Sequence, residues 1–127
     1  MIVGIGIDLV SVSRMKRVLD RNWAARFINR VFTSEETAHC LKSARPEECF
    51  AARFAAKEAV VKALGTGFTR GITPVQIMVC GGERQKPSIA LSSNAREIAE
   101  SMNINHTSVS LSHTDGMACA IVVLEKS

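Results

Sequence analysis

The chain begins on an alternating pattern. In Gly4-Ile5-Gly6-Ile7-Asp8-Leu9-Val10 every second side chain shares a face, so Val3, Ile5, Ile7 and Leu9 point one way while Gly4, Gly6 and Asp8 share the other with Ile2. This predicts a first strand with one face stripped of side chains around a single carboxylate. Ser11 or Ser13 caps a helix to about Asp20, on which Arg14, Arg17 and Arg21 form one stripe while Met15, Val18 and Leu19 face elsewhere. Arg26 and Arg30 follow around Trp23 and Phe27. Thr33-Ser34-Glu35-Glu36 has the spacing of a capping box and predicts a short helix to about Ser43. Pro46 suits the first turn of a longer helix that runs to Leu64 and stops at Gly65. Its Ala52, Ala56, Ala59 and Ala63 fall in one narrow arc, a small-residue face that lets the helix lie close against a sheet or another helix.

Beyond the glycines of 65–71, Val75, Ile77 and Val79 alternate as a strand, Gly81-Gly82 turns the chain, and Ser88 to Leu91 pairs back. Ser93 or Asn94 caps a helix carrying Ile98, Ala99 and Met102. Thr107 to Ser112 and Met117 to Leu124 are two strands joined at Thr114-Asp115-Gly116, a strong hairpin signal. The order of elements predicts an α+β fold, one domain over 1–127, with a mostly antiparallel sheet packed on the long helix.

Composition narrows the class. At 127 residues, 46% hydrophobic and 22% charged, the chain has the make-up of a single soluble domain, with no apolar run of membrane-spanning length. Met1 leads directly into strand-like sequence with no basic leader, so a cytoplasmic protein is expected. Cys40, Cys49, Cys80 and Cys119 lie far apart without zinc-ligand spacing and read as reduced thiols. A net charge of +4 suits an anionic partner without choosing among nucleic acid, membrane surface, nucleotide and acidic protein.

Two carboxylates carry the candidate chemistry. A carboxylate in a buried strand needs a partner. Glu58 and Lys62, at i and i+4 on the long helix, read alone as a solvated ion pair; with Asp8 beside them, the two carboxylates suit a hard dication such as magnesium while Lys62 faces a phosphate. Gly65-Thr66-Gly67 reads as a helix cap and turn, or as backbone amides facing a phosphate. Gly4-Ile5-Gly6 lacks the third glycine of a dinucleotide loop. His113, next to Thr114 at a strand end, reads as an exposed histidine or a phosphate donor. The arginine stripe is a solvated face or a docking surface.

Three blocks in order, Gly4-Ile-Gly-Ile-Asp8-Leu-Val-Ser-Val-Ser-Arg14, then Phe50-Ala-Ala-Arg53-Phe-Ala-Ala-Lys57-Glu58-Ala-Val-Val-Lys62-Ala-Leu-Gly65-Thr-Gly67, then Val109-Ser-Leu-Ser-His113-Thr114, resemble the small holo-[acyl-carrier-protein] synthase class of 4'-phosphopantetheinyl transferases. The resemblance spans nearly the whole chain. It implies the fold of that family and transfer of the 4'-phosphopantetheine arm of coenzyme A to a serine of apo acyl carrier protein, a step of fatty acid biosynthesis that releases adenosine 3',5'-bisphosphate. It implies Asp8 and Glu58 as magnesium ligands, with Lys62 contacting the pyrophosphate and helping to deprotonate the serine. Arg53, Gly65, His113 and Thr114 would bind the coenzyme. Arg14, Arg21 and Arg26 would dock the carrier protein, and a homotrimer would place active sites between subunits. Neither nucleic acid nor membrane is expected as a partner.

Two departures stand out. Larger relatives carry a further acidic residue where this chain has Val10, and Gln85-Lys86-Pro87 stands where Gly-Lys-Pro is frequent. The competing reading is a non-catalytic, basic nucleotide- or RNA-binding module, which the charge favours and the low aromatic content, five Phe and one Trp, does not.

Overall fold

A computed structural model of the chain describes residues 1–82 and 84–127. The elements run β1 (Ile2–Ser11), α1 (Val12–Leu19), α2 (Ala24–Val31), α3 (Ser34–Leu41), α4 (Pro46–Leu64), a 3₁₀ turn (Pro74–Gln76), β2 (Ile77–Gly82), β3 (Gln85–Leu91), α5 (Ser93–Ser101), β4 (His106–Thr114) and β5 (Met117–Glu125). Among the described residues the strand pairings are antiparallel: one sheet has the order β1-β5-β4, and β2 pairs with β3. The predicted α+β class therefore holds, with the sheet divided in two.

Helix α4 is the axis of the core. Pro46 opens it and Gly65, at φ 78°, closes it in the left-handed conformation open to glycine. Its Ala55, Ala56, Ala59, Val60 and Ala63 pack with Val109, Ala120, Val122 and Leu124 of the large sheet. Toward its N-terminus, Phe50 and Ala51 close a second cluster with Met15, Val31 and Phe32. No helix among the described residues is long and apolar enough to cross a membrane.

The glycine face of β1 lies directly on this helix. A β-carbon on Gly4 would fall onto the carbonyl of Ala63, and one on Gly6 onto that of Ala59. Backbone therefore meets backbone, and Asp8, next on that face, comes down beside α4. The other face is open: Ile5, Ile7 and Leu9 are each more than half exposed, and Ile7 sits across the ladder from the exposed Ile121. Val3 leaves that row, because the register shifts between Ile2 and Gly4, and packs on the core.

A buried polar hub joins the helices to the small sheet. Lys57 and Glu36 are both inaccessible, and Lys57 Nζ donates to Glu36 Oε1 at 2.8 Å and to the carbonyls of Pro74 and Ile77. Glu36 also accepts from the backbone amides of Thr33 and Val79. Burial lowers the Lys57 pKa and the Glu36 charge opposes that shift.

Several local expectations change. Helix α2 was not marked by any cap, and its N-cap, Trp23, makes no side-chain bond. Val75 falls in the 3₁₀ turn that Pro74 opens, so β2 begins at Ile77. Gly81 and Gly82 lie within β2 at positive φ, beside a register shift, so they belong to the strand and not to a turn. Ser92 occupies the N-cap of α5, without a capping bond. Asp115-Gly116, at φ 48° and 75°, forms the expected two-residue hairpin turn. The cysteine reading is corrected: Cys40 and Cys49 form a disulfide, because the chain between α3 and α4 brings their Cα atoms to 5.3 Å, while Cys80 and Cys119 remain free.

Candidate active site

Asp8, Glu58 and Lys62 converge. Phe54, Glu58 and Lys62 recur every four residues and line one face of α4, and the glycine contact sets β1 against that helix. Lys62 Nζ donates to Asp8 Oδ1 at 2.8 Å and to the Ile7 carbonyl at 3.1 Å. The hydrogen bond to Asp8 holds the Lys62 proton above its ordinary pKa. Glu58 is also raised, first by burial and then by the neighbouring Asp8 charge, with Lys62 opposing. Two carboxylates thus sit close enough to repel, over a cleft of about 380 Å³ walled by Arg14, Met15, Val18, Phe27 and Phe54.

This donor set fits a hard dication. Magnesium takes one or two carboxylates and completes its shell with water and phosphate oxygens, and a cation opposes both the burial and the Asp8 repulsion that raise Glu58. Asp8 and Glu58 would be the acidic side chains holding it, and among the described residues no group of three or more His, Cys, Asp or Glu is arranged to hold a metal ion.

A second cleft, about 740 Å³, opens beside the N-terminal half of α4. Arg45, Glu48, Cys49 and Arg53 line one side, Lys86 and His113 the other. Glu48 ties the wall together: Oε2 accepts from Arg45 at 2.9 Å and Oε1 lies 3.3 Å from His113 Nδ1. Arg53 Nη2 donates to the Gly81 carbonyl at 2.7 Å, which fixes the guanidinium against β2. With four cationic or imidazole side chains around one carboxylate, the cleft suits an anion such as a phosphate.

The remaining sequence candidates scatter around these clefts. Arg14 lines the acidic one, whereas Arg21 and Arg26 are exposed outside it. Thr114 ends β4 next to His113 and lies outside both clefts. Gly65 caps the helix about one turn beyond Lys62 and two beyond Glu58, with open space where a side chain would be. The amides of Gly65, Thr66 and Gly67 all donate back to the Val61 carbonyl, so they serve the cap and do not form a phosphate loop. Arg45, Glu48 and Lys86 were missed as cleft residues. Only Lys86 carried a sequence signal, in Gln85-Lys86-Pro87.

Known proteins resemble this chain over nearly its whole length. The model of the 4'-phosphopantetheinyl transferase superfamily matches residues 4–122. A holo-[acyl-carrier-protein] synthase of Trichlorobacter lovleyi is 44% identical, with 98% of each chain covered. The crystal structure of the synthase from Neisseria meningitidis superposes with a TM-score of 0.88 at 34% identity, covering 99% of this chain and 100% of that one. The Helicobacter pylori synthase in complex with coenzyme A gives 0.82 at 32% identity, covering 95% and 99%. With a family model matching residues 4–122 and relatives this similar over nearly their whole length, the chain belongs to the 4'-phosphopantetheinyl transferase superfamily, in the family of the holo-[acyl-carrier-protein] synthases.

Proposed function

We propose that the chain transfers the 4'-phosphopantetheine arm of coenzyme A to a serine of apo acyl carrier protein, releasing adenosine 3',5'-bisphosphate. The carrying observation is the convergence of Asp8, Glu58 and Lys62 from two elements packed backbone to backbone. The non-catalytic nucleic-acid reading gains nothing here, since two carboxylates repel a phosphate backbone.

Asp8 and Glu58 would hold magnesium, which supplies charge neutralisation at the pyrophosphate when bound. Lys62 enters fully protonated, because Asp8 holds its proton, and donates to phosphate oxygens as negative charge builds on them. This assigns Lys62 a charge-stabilising role. Arg53 and His113 bind coenzyme phosphate in the larger cleft, with Arg45 and Lys86 beside them. Gly65 and Thr114 border the coenzyme, the glycine by leaving room next to Lys62. Arg14, Arg21 and Arg26 present exposed positive charge to the acidic carrier protein, and Arg14 guides its serine toward the carboxylates.

The same reading includes a homotrimer with active sites between subunits. Its support is the open face of the large sheet, where Ile5, Ile7, Leu9, Met117 and Ile121 form an exposed apolar surface.

Intact mass spectrometry of apo acyl carrier protein with this protein, coenzyme A and magnesium tests the reaction. A gain of about 340 Da, absent with EDTA or with Asp8→Ala, is expected; no gain with several carrier proteins would refute it.

A further inference from the structure

We propose that Cys49 is a reversible thiol-modification site in the wall of the larger cleft, with Cys40 as its resolving thiol. The functional consequence rests on that cleft binding coenzyme phosphate; the thiol chemistry does not.

The two sulfurs are placed asymmetrically. Cys49, in the first turns of α4, lines the cleft, whereas Cys40 on α3 is completely buried against Val31, Phe32 and Phe50. A solvent-borne reagent therefore meets Cys49 first. Arg53, one turn further along the helix, donates from Nη1 to Cys49 Sγ at 3.5 Å, and a guanidinium beside a sulfur favours the nucleophilic thiolate. An accessible sulfur with a buried second cysteine behind it is the arrangement of a redox-responsive pair. Cys80 and Cys119 have neither a paired sulfur nor a place in the cleft.

Oxidation by a small-molecule disulfide then runs in two balanced exchanges. The Cys49 thiolate attacks one sulfur of the oxidant, forming a mixed disulfide and releasing one small thiolate. The Cys40 thiolate attacks Cys49 Sγ, forming the Cys40–Cys49 bond and releasing the second. The two cysteines are oxidised, the oxidant is reduced to two thiols, and the cysteine protons pass to solvent. Excess thiol reverses both steps.

The bond closes the segment 41–48, which supplies Ser43, Ala44, Arg45 and Glu48 to the cleft wall. Opened, that segment regains freedom it must lose again when an anion binds, so the reduced protein binds coenzyme more weakly, by roughly 3- to 10-fold. Turnover at saturating coenzyme changes by less than about twofold, because Glu58 lies more than two turns along the same helix, ~13 Å away.

The test compares protein equilibrated with dithiothreitol or with oxidised glutathione. Alkylation and intact mass count the free thiols, with two fewer expected in the oxidised form. Calorimetry then measures affinity for adenosine 3',5'-bisphosphate, which has no thiol and leaves the bond intact, and kinetics give KM and kcat for transfer. Tighter binding and lower KM in the oxidised form support the proposal, as does loss of the difference in Cys40→Ser and Cys49→Ser but not in Cys80→Ser. Equal affinity in both forms, or four reactive thiols after oxidation, overturns it; the wild-type comparison decides even where a cysteine variant fails to fold. Failure of both forms to bind the bisphosphate overturns the coenzyme reading of the cleft instead, a result separable from the thiol count.

Discussion

Replacing Gly6 by alanine tests the idea that the site is set by backbone contact between β1 and α4. The added β-carbon would meet Ala59 O, Ala59 C and Ala63 N, all main-chain atoms, so no side chain can swing aside. Strand and helix must separate by on the order of 1 Å to restore ordinary contact. Overpacking that side chains can absorb costs about 1–3 kcal/mol, and a rigid main-chain clash belongs at the upper end, ~3 kcal/mol or more. That is a large share of the roughly 5–15 kcal/mol that stabilises a domain. The same movement separates Asp8 from Glu58 and Lys62, and misplacement of about 1 Å costs on the order of 100-fold in rate. Denaturant unfolding and transfer kinetics, measured where the variant is still folded, should show both losses. Gly67→Ala is the control: its φ of 60° carries left-handed strain of about 1–2 kcal/mol, but nothing lies within 4 Å of the new carbon. If Gly6→Ala lost no more stability than Gly67→Ala and kept its activity, backbone contact would not be what sets the site.

Other outcomes follow from the charges and the open face. Lys57→Met strands a buried Glu36 carboxylate and should cost ~3–5 kcal/mol, while Glu36→Leu/Lys57→Met recovers part of that loss in denaturant unfolding. Because the folded-state pKa of Glu58 is raised, its ionisation disfavours folding: stability falls as pH rises from the ordinary carboxylate range through the raised value. Magnesium should offset that fall, and Glu58→Gln should abolish both the fall and the metal effect in melting curves against pH. Ile7→Lys puts a charge on the exposed apolar face and should shift sedimentation toward monomer with loss of transfer; an unchanged assembly would remove that face from the interface.

Much of this was legible where local chemistry decides the outcome. Thr33 and Glu36 form the capping box that their spacing predicts, and Pro46 and Gly65 bound α4 as written. Gly4 and Gly6, preceding Asp8 on the same face, signalled the bare face on α4, and Glu58 and Lys62 signalled the helix side that meets it. What stayed hidden depends on packing between distant segments. Helix α2 has no side-chain cap to announce it, and tertiary burial of Val31 and partial burial of Phe27 hold it in place. Glu36 looked like a cap residue alone, yet its second oxygen and its ion pair reach β2 and α4, contacts with no sequence spacing to reveal them. The disulfide likewise exists only once α3 and α4 are placed together, and the Glu48–His113 contact only once α4 meets β4.

Strand β1 faces two tasks at once. One side carries Asp8 against α4, and the other exposes the isoleucines proposed to meet a neighbouring copy. Because the pleat alternates, each position governing assembly is the immediate neighbour of one governing chemistry: Ile7 and Leu9 flank Asp8. A one-residue insertion or deletion there would invert both faces together. Such a strand tolerates substitution on its open face better than any change of length, because only substitution leaves the glycine-aspartate row in register.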